Sequence, residues 1–291
     1  MVRAMVTGAR GMLGTALCLA VPPGVELAAV DLGDGDLSQP GVAQNLVSLH
    51  GPDVVIHCAA WADVDGCTRD PGRAMAHNAG ATALLTEACK AKGTRLVYMS
   101  TDYVFPGTLG RPYREHDCVG PLNSYGESKL LGEHSVAGLP DHCIVRTQWL
   151  YGPSGKNFVA TIVNAARSRS ELKVVADEYG SPTLTTDLAP AIWAAAVGSV
   201  SGVLHLTGLG VCSWFQLARL AVRAAGLPTH ITPISSRDWG SITQRPRFAP
   251  LANDRWVGLG EAPLRPWQDA VAGYARTCAG ERIPAGPGSS T

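Results

Sequence analysis

The short apolar run at residues 4–7 breaks off at Gly8-Ala-Arg10-Gly11-Met12-Leu13-Gly14, and apolar residues then recur at Leu13, Ala16, Leu17 and Ala20. That order predicts a strand, a glycine turn and a helix in immediate succession. Few folds accept it. The helix must fold back onto the strand, and the glycines must let the backbone turn tightly and come close to a ligand. The arrangement suits a dinucleotide, whose pyrophosphate would face the free N–H groups at the helix start. Residues 25–31 read as a second strand ending in a carboxylate, 17 residues beyond Gly14. An acid about there accepts the adenosine ribose hydroxyls. We therefore expect Gly8, Arg10, Gly11, Met12, Leu13, Gly14 and Asp31 beside a bound cofactor. Asp31 repels the extra phosphate of NADPH whereas Arg10 attracts it, so NADH and NADPH both stay open. Asp36 and Leu37, in the turn-like stretch 34–38, either lie against the adenine or belong to an ordinary loop.

Strand-like and helix-like stretches keep alternating. Residues 54–58 are apolar until His57, as in a parallel strand buried on both faces. Ala59 and Ala60 follow at its C-terminal end, where such sheets bind ligands, and their small side chains admit a cofactor. His57 is either a base or a histidine satisfied at a strand end, and the second reading is favoured. Residues 73–92 have helical periodicity, with Gly93 as a stop signal. Residues 96–99 form a fourth strand that delivers Thr101, Asp102 and Tyr103 to the same edge. Residues 143–146 form a fifth. The class is α/β, with a doubly wound parallel sheet of Rossmann type. Past residue 152 the alternation fades. We expect a dinucleotide-binding domain at 1–152 and a smaller lobe at 153–280 that shapes a substrate cleft and returns segments to the sheet. A disordered tail is expected at 281–291.

Tyr125 and Lys129 share one helix face, one turn apart. Gly126 and Gly132 oppose that helix by about 1 kcal/mol each relative to Ala. An ammonium beside a phenol favours the phenolate, so Tyr125 is expected to be a proton donor tuned toward neutral pH.

Composition narrows the rest. The chain has 291 residues and zero formal net charge. No basic block suggests a nucleic-acid partner, and no apolar run reaches the roughly 18 residues of a membrane span. The first residues lack the apolar region of a signal peptide, so a cytoplasmic protein is expected. The eight cysteines, with no C-x-x-C pair, read as buried thiols in a reducing compartment, and no metal is expected.

Taken together, the glycine turn, residues 52–65, 100–105 and 121–129, Arg146-Thr-Gln-Trp-Leu-Tyr-Gly152 with Asn157, and Gly180-Ser-Pro-Thr183 resemble the extended short-chain dehydrogenase/reductases. Within these, the chain is similar to the dTDP-4-dehydrorhamnose reductase family over roughly residues 3 to 275. The resemblance implies hydride delivery from NADPH or NADH to the C4 ketone of a nucleotide-linked 6-deoxy sugar. It implies that Tyr125 donates the proton, Lys129 tunes it and holds the nicotinamide ribose, and Thr101 bonds the carbonyl oxygen. It places Trp149, Val64 and Asn157 at the sugar and Arg245 at the diphosphate, and it is compatible with a homodimer. His57-Cys-Ala-Ala-Trp61 departs from the family's usual Asn-Ala-Ala-Ala-Tyr, so Trp61 is expected to reshape the sugar pocket. The resemblance also admits a reductase for a related deoxysugar or branched sugar, and a non-catalytic regulatory subunit of the same fold. Tyr103 after Asp102, where dehydratases of the fold carry Glu, argues against dehydration.

Overall fold

The computed structural model describes residues 1–280, so the expected disordered tail at 281–291 lies outside the described residues. The chain runs through β1 (Val2–Thr7), α1 (Met12–Leu19), β2 (Val25–Val30), α2 (Val42–His50) and β3 (Val54–His57). It continues with α3 (Val64–Arg69), α4 (Pro71–Ala74), α5 (Ala81–Lys92), β4 (Arg95–Thr101), α6 (Ser124–Val136) and β5 (His142–Thr147). After these come α7 (Phe158–Ala166) and α8 (Thr185–Val197). A strand at Gly202–His205 joins the edge of β5, giving a six-stranded sheet with β4, β3, β1 and β2 following in that order. Every pairing in it is parallel. The apolar runs read from the sequence are the central strands, and β3 and β4 are buried along their whole length. This is what helices on both faces require.

One face of the sheet packs Leu17 of α1 and Ile192 and Trp193 of α8 against Val6, Ile56 and Val145. The other packs Leu46 and Val47 of α2 and Leu85 of α5 against Met5, Val55 and Ile144. The sheet is doubly wound, as expected. Both α8 and the Gly202–His205 strand come from beyond residue 152. The remaining second half packs α7 against helices Trp214–Ala224 and Trp267–Ala279 through Val159, Val163, Leu217 and Val271. A two-stranded parallel ribbon, Glu171–Val175 with His230–Ile234, lies beside them. No helix among the described residues is long and apolar enough to cross a membrane.

The helix expected at 73–92 is present but not uniform. Between α4 and α5 lies a π-helical stretch, Met75–Gly80, a wider turn that periodicity cannot reveal. It carries the buried Asn78, whose Oδ1 accepts from Trp61 N (2.7 Å) and whose Nδ2 donates to Ser128 Oγ on α6 (3.0 Å).

Helix α6 shows why its glycines are there. Asn123 caps it, Oδ1 accepting from Gly126 N at 2.9 Å. A Cβ at Gly126 would lie 2.2 Å from the Tyr103 carbonyl oxygen, and one at Gly132 would lie 2.3 Å from the Tyr98 hydroxyl. Helix propensity is given up so that α6 can press against β4 and the segment following it. Gly126→Ala should therefore destabilise the protein by about 1–3 kcal/mol in urea unfolding, the usual cost of overpacking, despite Ala's better propensity. Gly273→Ala, in a helix where the added Cβ meets nothing within 4 Å, should stabilise by up to about 1 kcal/mol. Equal signs for the two changes would contradict this packing argument.

Candidate active site

The ends of β1 and β3 meet at the glycine turn. Gly8 has φ +68°, and a Cβ there would sit 2.7 Å from Ala59 N, while one at Gly14 would sit 2.1 Å from Gly8 O. Only glycine fits this stacking of turn, helix and strand end. Asp31 accepts from Arg10 N (2.7 Å) through Oδ2 and from Leu32 N (2.8 Å) through Oδ1. Beside it opens a cavity of about 330 Å³ whose wall includes Gly8, Gly11, Asp31, Asp36, Leu37, Ala59 and Ala60. Asp36 accepts from Ser38 N and Oγ (2.9 and 2.7 Å), and the Ser38 N–H contributes most to holding its carboxyl below the usual range. Of the residues expected at the dinucleotide, the Arg10 side chain is the one outside both cavity walls. Trp61 corrects an expectation. It lines this half of the cleft, beneath the Arg73 guanidinium at 4.5 Å, and not the half around Tyr125. Its backbone N and O are both bonded to Asn78, which turns it to that side.

A second cavity of about 430 Å³ joins the first through shared walls at Gly8, Gly11, Cys58 and Ala60. It brings together Met12, Leu13, Gly14, Val64, Thr101, Asp102, Tyr103, Tyr125, Lys129 and Trp149. Thr101, at the last position of β4, donates from Oγ1 to Asp102 Oδ1 (3.1 Å) and accepts from Tyr103 N (3.2 Å). The Tyr103 ring meets Tyr125 edge-on, with centroids 5.5 Å apart. Lys129 Nζ lies 4.1 Å from the Tyr98 ring centroid.

Two expected residues are not brought into this wall. Asn157 caps α7, its Oδ1 accepting from Ala160 N, while Nδ2 donates to Gly152 O and Tyr274 Oη. Its amide is fully used inside the second lobe. Arg245 pairs with Asp65 of α3 at 3.3 Å and does not line the cavity. His57 is a satisfied strand-end histidine. Its Nδ1 meets Thr7 Oγ1 at 2.7 Å and its Nε2 meets Thr82 Oγ1 at 3.1 Å, and burial pushes its pKa down to about 3. Sequence reasoning passed over Thr147 and Gln148, which line the cavity beside Trp149. The available signal was two polar residues at the C-terminal end of an apolar strand.

The electrostatics also correct an expectation. Burial, followed by the nearby Asp102 carboxylate, pushes the Tyr125 phenol above its ordinary range, and only the Thr101 hydroxyl opposes them. Burial pulls Lys129 down to about 7 and lifts Asp102 to about 7. Lys129 is not among the groups that lower the phenol, and burial weakens its own charge. For Lys129 the folded-state pKa lies below the unfolded value of about 10.4. Between about pH 7 and 10 the unfolded chain binds the extra proton, so this group makes stability rise with pH there. Lys129→Met should accordingly raise Tm over wild type most at pH 6, with the gain shrinking toward pH 9. Thermal melts at the two pH values check this, and a gain independent of pH would refute it.

Comparison with known proteins fits this geometry. A family described as the RmlD substrate binding domain matches residues 2–279. A dTDP-4-dehydrorhamnose reductase from Streptomyces griseus is 41% identical over 278 residues, covering 92% of this chain and 91% of the relative. A dTDP-4-keto-6-deoxy-D-glucose reductase from Streptomyces niveus is 38% identical, covering 92% and 95%. The crystal structure of dTDP-4-dehydrorhamnose reductase from Bacillus anthracis in complex with NADP superposes with a TM-score of 0.90 at 33% identity, covering 93% of this chain and 97% of that one. With a family match spanning nearly its whole length and a cleft that unites the glycine turn with Thr101, Tyr125 and Lys129, the chain belongs to the dTDP-4-dehydrorhamnose reductase family.

Proposed function

We propose that this protein is an NAD(P)H-dependent reductase acting on the C4 ketone of a dTDP-linked 6-deoxy sugar, with dTDP-4-dehydro-L-rhamnose as the foremost substrate. One observation carries the reading. Two joined cavities hold a dinucleotide-type glycine turn at one end and Thr101, Tyr125 and Lys129 at the other. That is the layout of a hydride-transfer enzyme, and a regulatory subunit has no need of it. The relatives named above support the sugar class, and the match to the Streptomyces niveus reductase supports a related 4-keto-6-deoxy sugar as second choice.

The residues present fit a dinucleotide. Backbone N–H groups from Met12 to Gly14, at the start of α1, would face its pyrophosphate, Asp31 its adenosine ribose, and Lys129 its nicotinamide ribose. When bound, the cofactor supplies the hydride. The remaining steps belong to the chain. Thr101 presents a hydroxyl where the ketone oxygen would lie, and Tyr125 holds a fully retained proton at neutral pH. The proton has an acceptor as hydride addition turns the ketone oxygen into a strongly basic alkoxide. Lys129, half protonated near pH 7, would meet the phenolate left behind and limit its cost. The lobe beyond residue 152 backs the Trp149 wall of the cleft through the stack of Trp214 on Trp149.

Absorbance of NADH or NADPH, followed with a panel of dTDP-4-keto-6-deoxy sugars, tests the proposal. Tyr125→Phe should lower kcat by roughly 10²–10⁴-fold on the right sugar, the usual worth of a general acid, with dinucleotide affinity nearly unchanged. Equal rates for the two proteins would remove Tyr125 from the mechanism.

A further inference from the structure

The cleft wall contributed by the end of β5 is built in an unusual way. Gln148 is 2% exposed, and among the described residues neither its Oε1 nor its Nε2 has a hydrogen-bond partner. The next residue, Trp149, has φ 49° and is the one non-glycine residue with positive φ among those described. Its indole stacks on Trp214 with centroids 3.5 Å apart and planes 9° from parallel. Opposite both lies Gly180, where a Cβ would come within 2.5 Å of the Trp149 ring and 2.6 Å of Gln148 Oε1. Buried polar groups without partners are disfavoured, and so is a left-handed tryptophan. Both features sit side by side in the wall shared with Thr101 and Tyr125. Strain and unmet hydrogen bonding that collect in a ligand cleft point to a ligand that relieves them.

We infer that Gln148 is a specificity-determining residue whose amide grips a ring hydroxyl of the hexose whose C4 is reduced. The inference rests on the sugar-reductase reading above. An amide offers one donor edge and one acceptor edge, and a sugar hydroxyl, both donor and acceptor, answers the two. A phosphate only accepts, so it would satisfy Nε2 and repel Oε1. A methyl group would satisfy neither. The position favours the sugar over the cofactor. Gln148 abuts Gly180 and Trp149, and Trp149 stacks on Trp214 beyond residue 152, whereas Asp31 and the adenosine end line the other cavity. Gly180 is small because the amide and the indole occupy the space beside it.

The test is a cycle between protein and substrate. Gln148→Met keeps the side-chain length and removes the amide. Wild type and variant are assayed on the preferred dTDP-4-keto-6-deoxy sugar and on its 2-deoxy and 3-deoxy analogues, with the Kd for NADPH or NADH measured alongside as a check on folding. On the full sugar the variant should lose roughly tenfold to a hundredfold in kcat/KM, the loss expected when a hydroxyl faces no partner. Wild type should lose a similar factor on one of the deoxy analogues. On that same analogue the variant should show little further loss, because the two changes delete one interaction. Losses that multiply on both analogues, or no loss on the full sugar, would overturn the inference while leaving the reductase reading intact. A variant weakened only in dinucleotide Kd would assign the amide to the cofactor and overturn it as well. A wild type inert toward every sugar would bring down the reductase reading and this inference with it.

Discussion

The cleft depends on one buried ion pair. Arg146, near the end of β5, meets Glu133 of α6 in two-point fashion, Nε to Oε1 at 2.9 Å and Nη2 to Oε2 at 2.6 Å. Both side chains are 5% exposed. Ser100 of β4 donates to the same Oε1 at 2.5 Å. A buried pair of this kind adds little net stability over an apolar replacement, but losing one partner costs about 3–5 kcal/mol. Its worth here is positional. Glu133 lies one helical turn past Lys129 and two past Tyr125, on the same face. Arg146 leads directly into Thr147, Gln148 and Trp149. A single contact therefore fixes the phenol and ammonium on one wall and the amide and indole on the other, and ties both to the strand that ends in Thr101.

That rigidity bears on the proton chemistry. Burial acts on both members of the Tyr125–Lys129 pair and in opposite directions, raising the phenol and lowering the ammonium. The favoured state near neutrality is a neutral phenol beside an amine that is only partly protonated. A spacing argument that treats the ammonium as permanently charged overlooks this, because it counts the Coulomb attraction and omits the desolvation that comes with the same burial.

The parts of the molecule legible in the sequence are those set by local pattern. Central parallel strands are apolar on both faces, so β3 and β4 announce themselves, and Gly8 and Gly14 sit where backbone must approach backbone. Gly93 ends a helix at φ +66°, as its position suggested. What was not legible depends on partners far along the chain. Asn157 looks like a polar residue near a cleft until Tyr274, more than a hundred residues on, takes its amide. Arg245 looks free until it meets Asp65. Trp61 looks like a wall of the sugar pocket until Asn78, on a π-helical turn with no sequence signature, turns it toward the dinucleotide half.

Gln148 shows the same limit from the other side. Its place at the end of an apolar strand is readable, since the C-terminal edge of a parallel sheet is where ligands gather. Whether its amide is satisfied is not, because that depends on every neighbour folded around it. In Asn157 and His57 the fold supplies those neighbours and the side chains become structural. At Gln148 it supplies a glycine and a strained tryptophan in the cleft wall, and no hydrogen-bond partner. The contrast separates buried polar residues that complete the protein from one in the cleft wall whose amide the fold leaves without a partner.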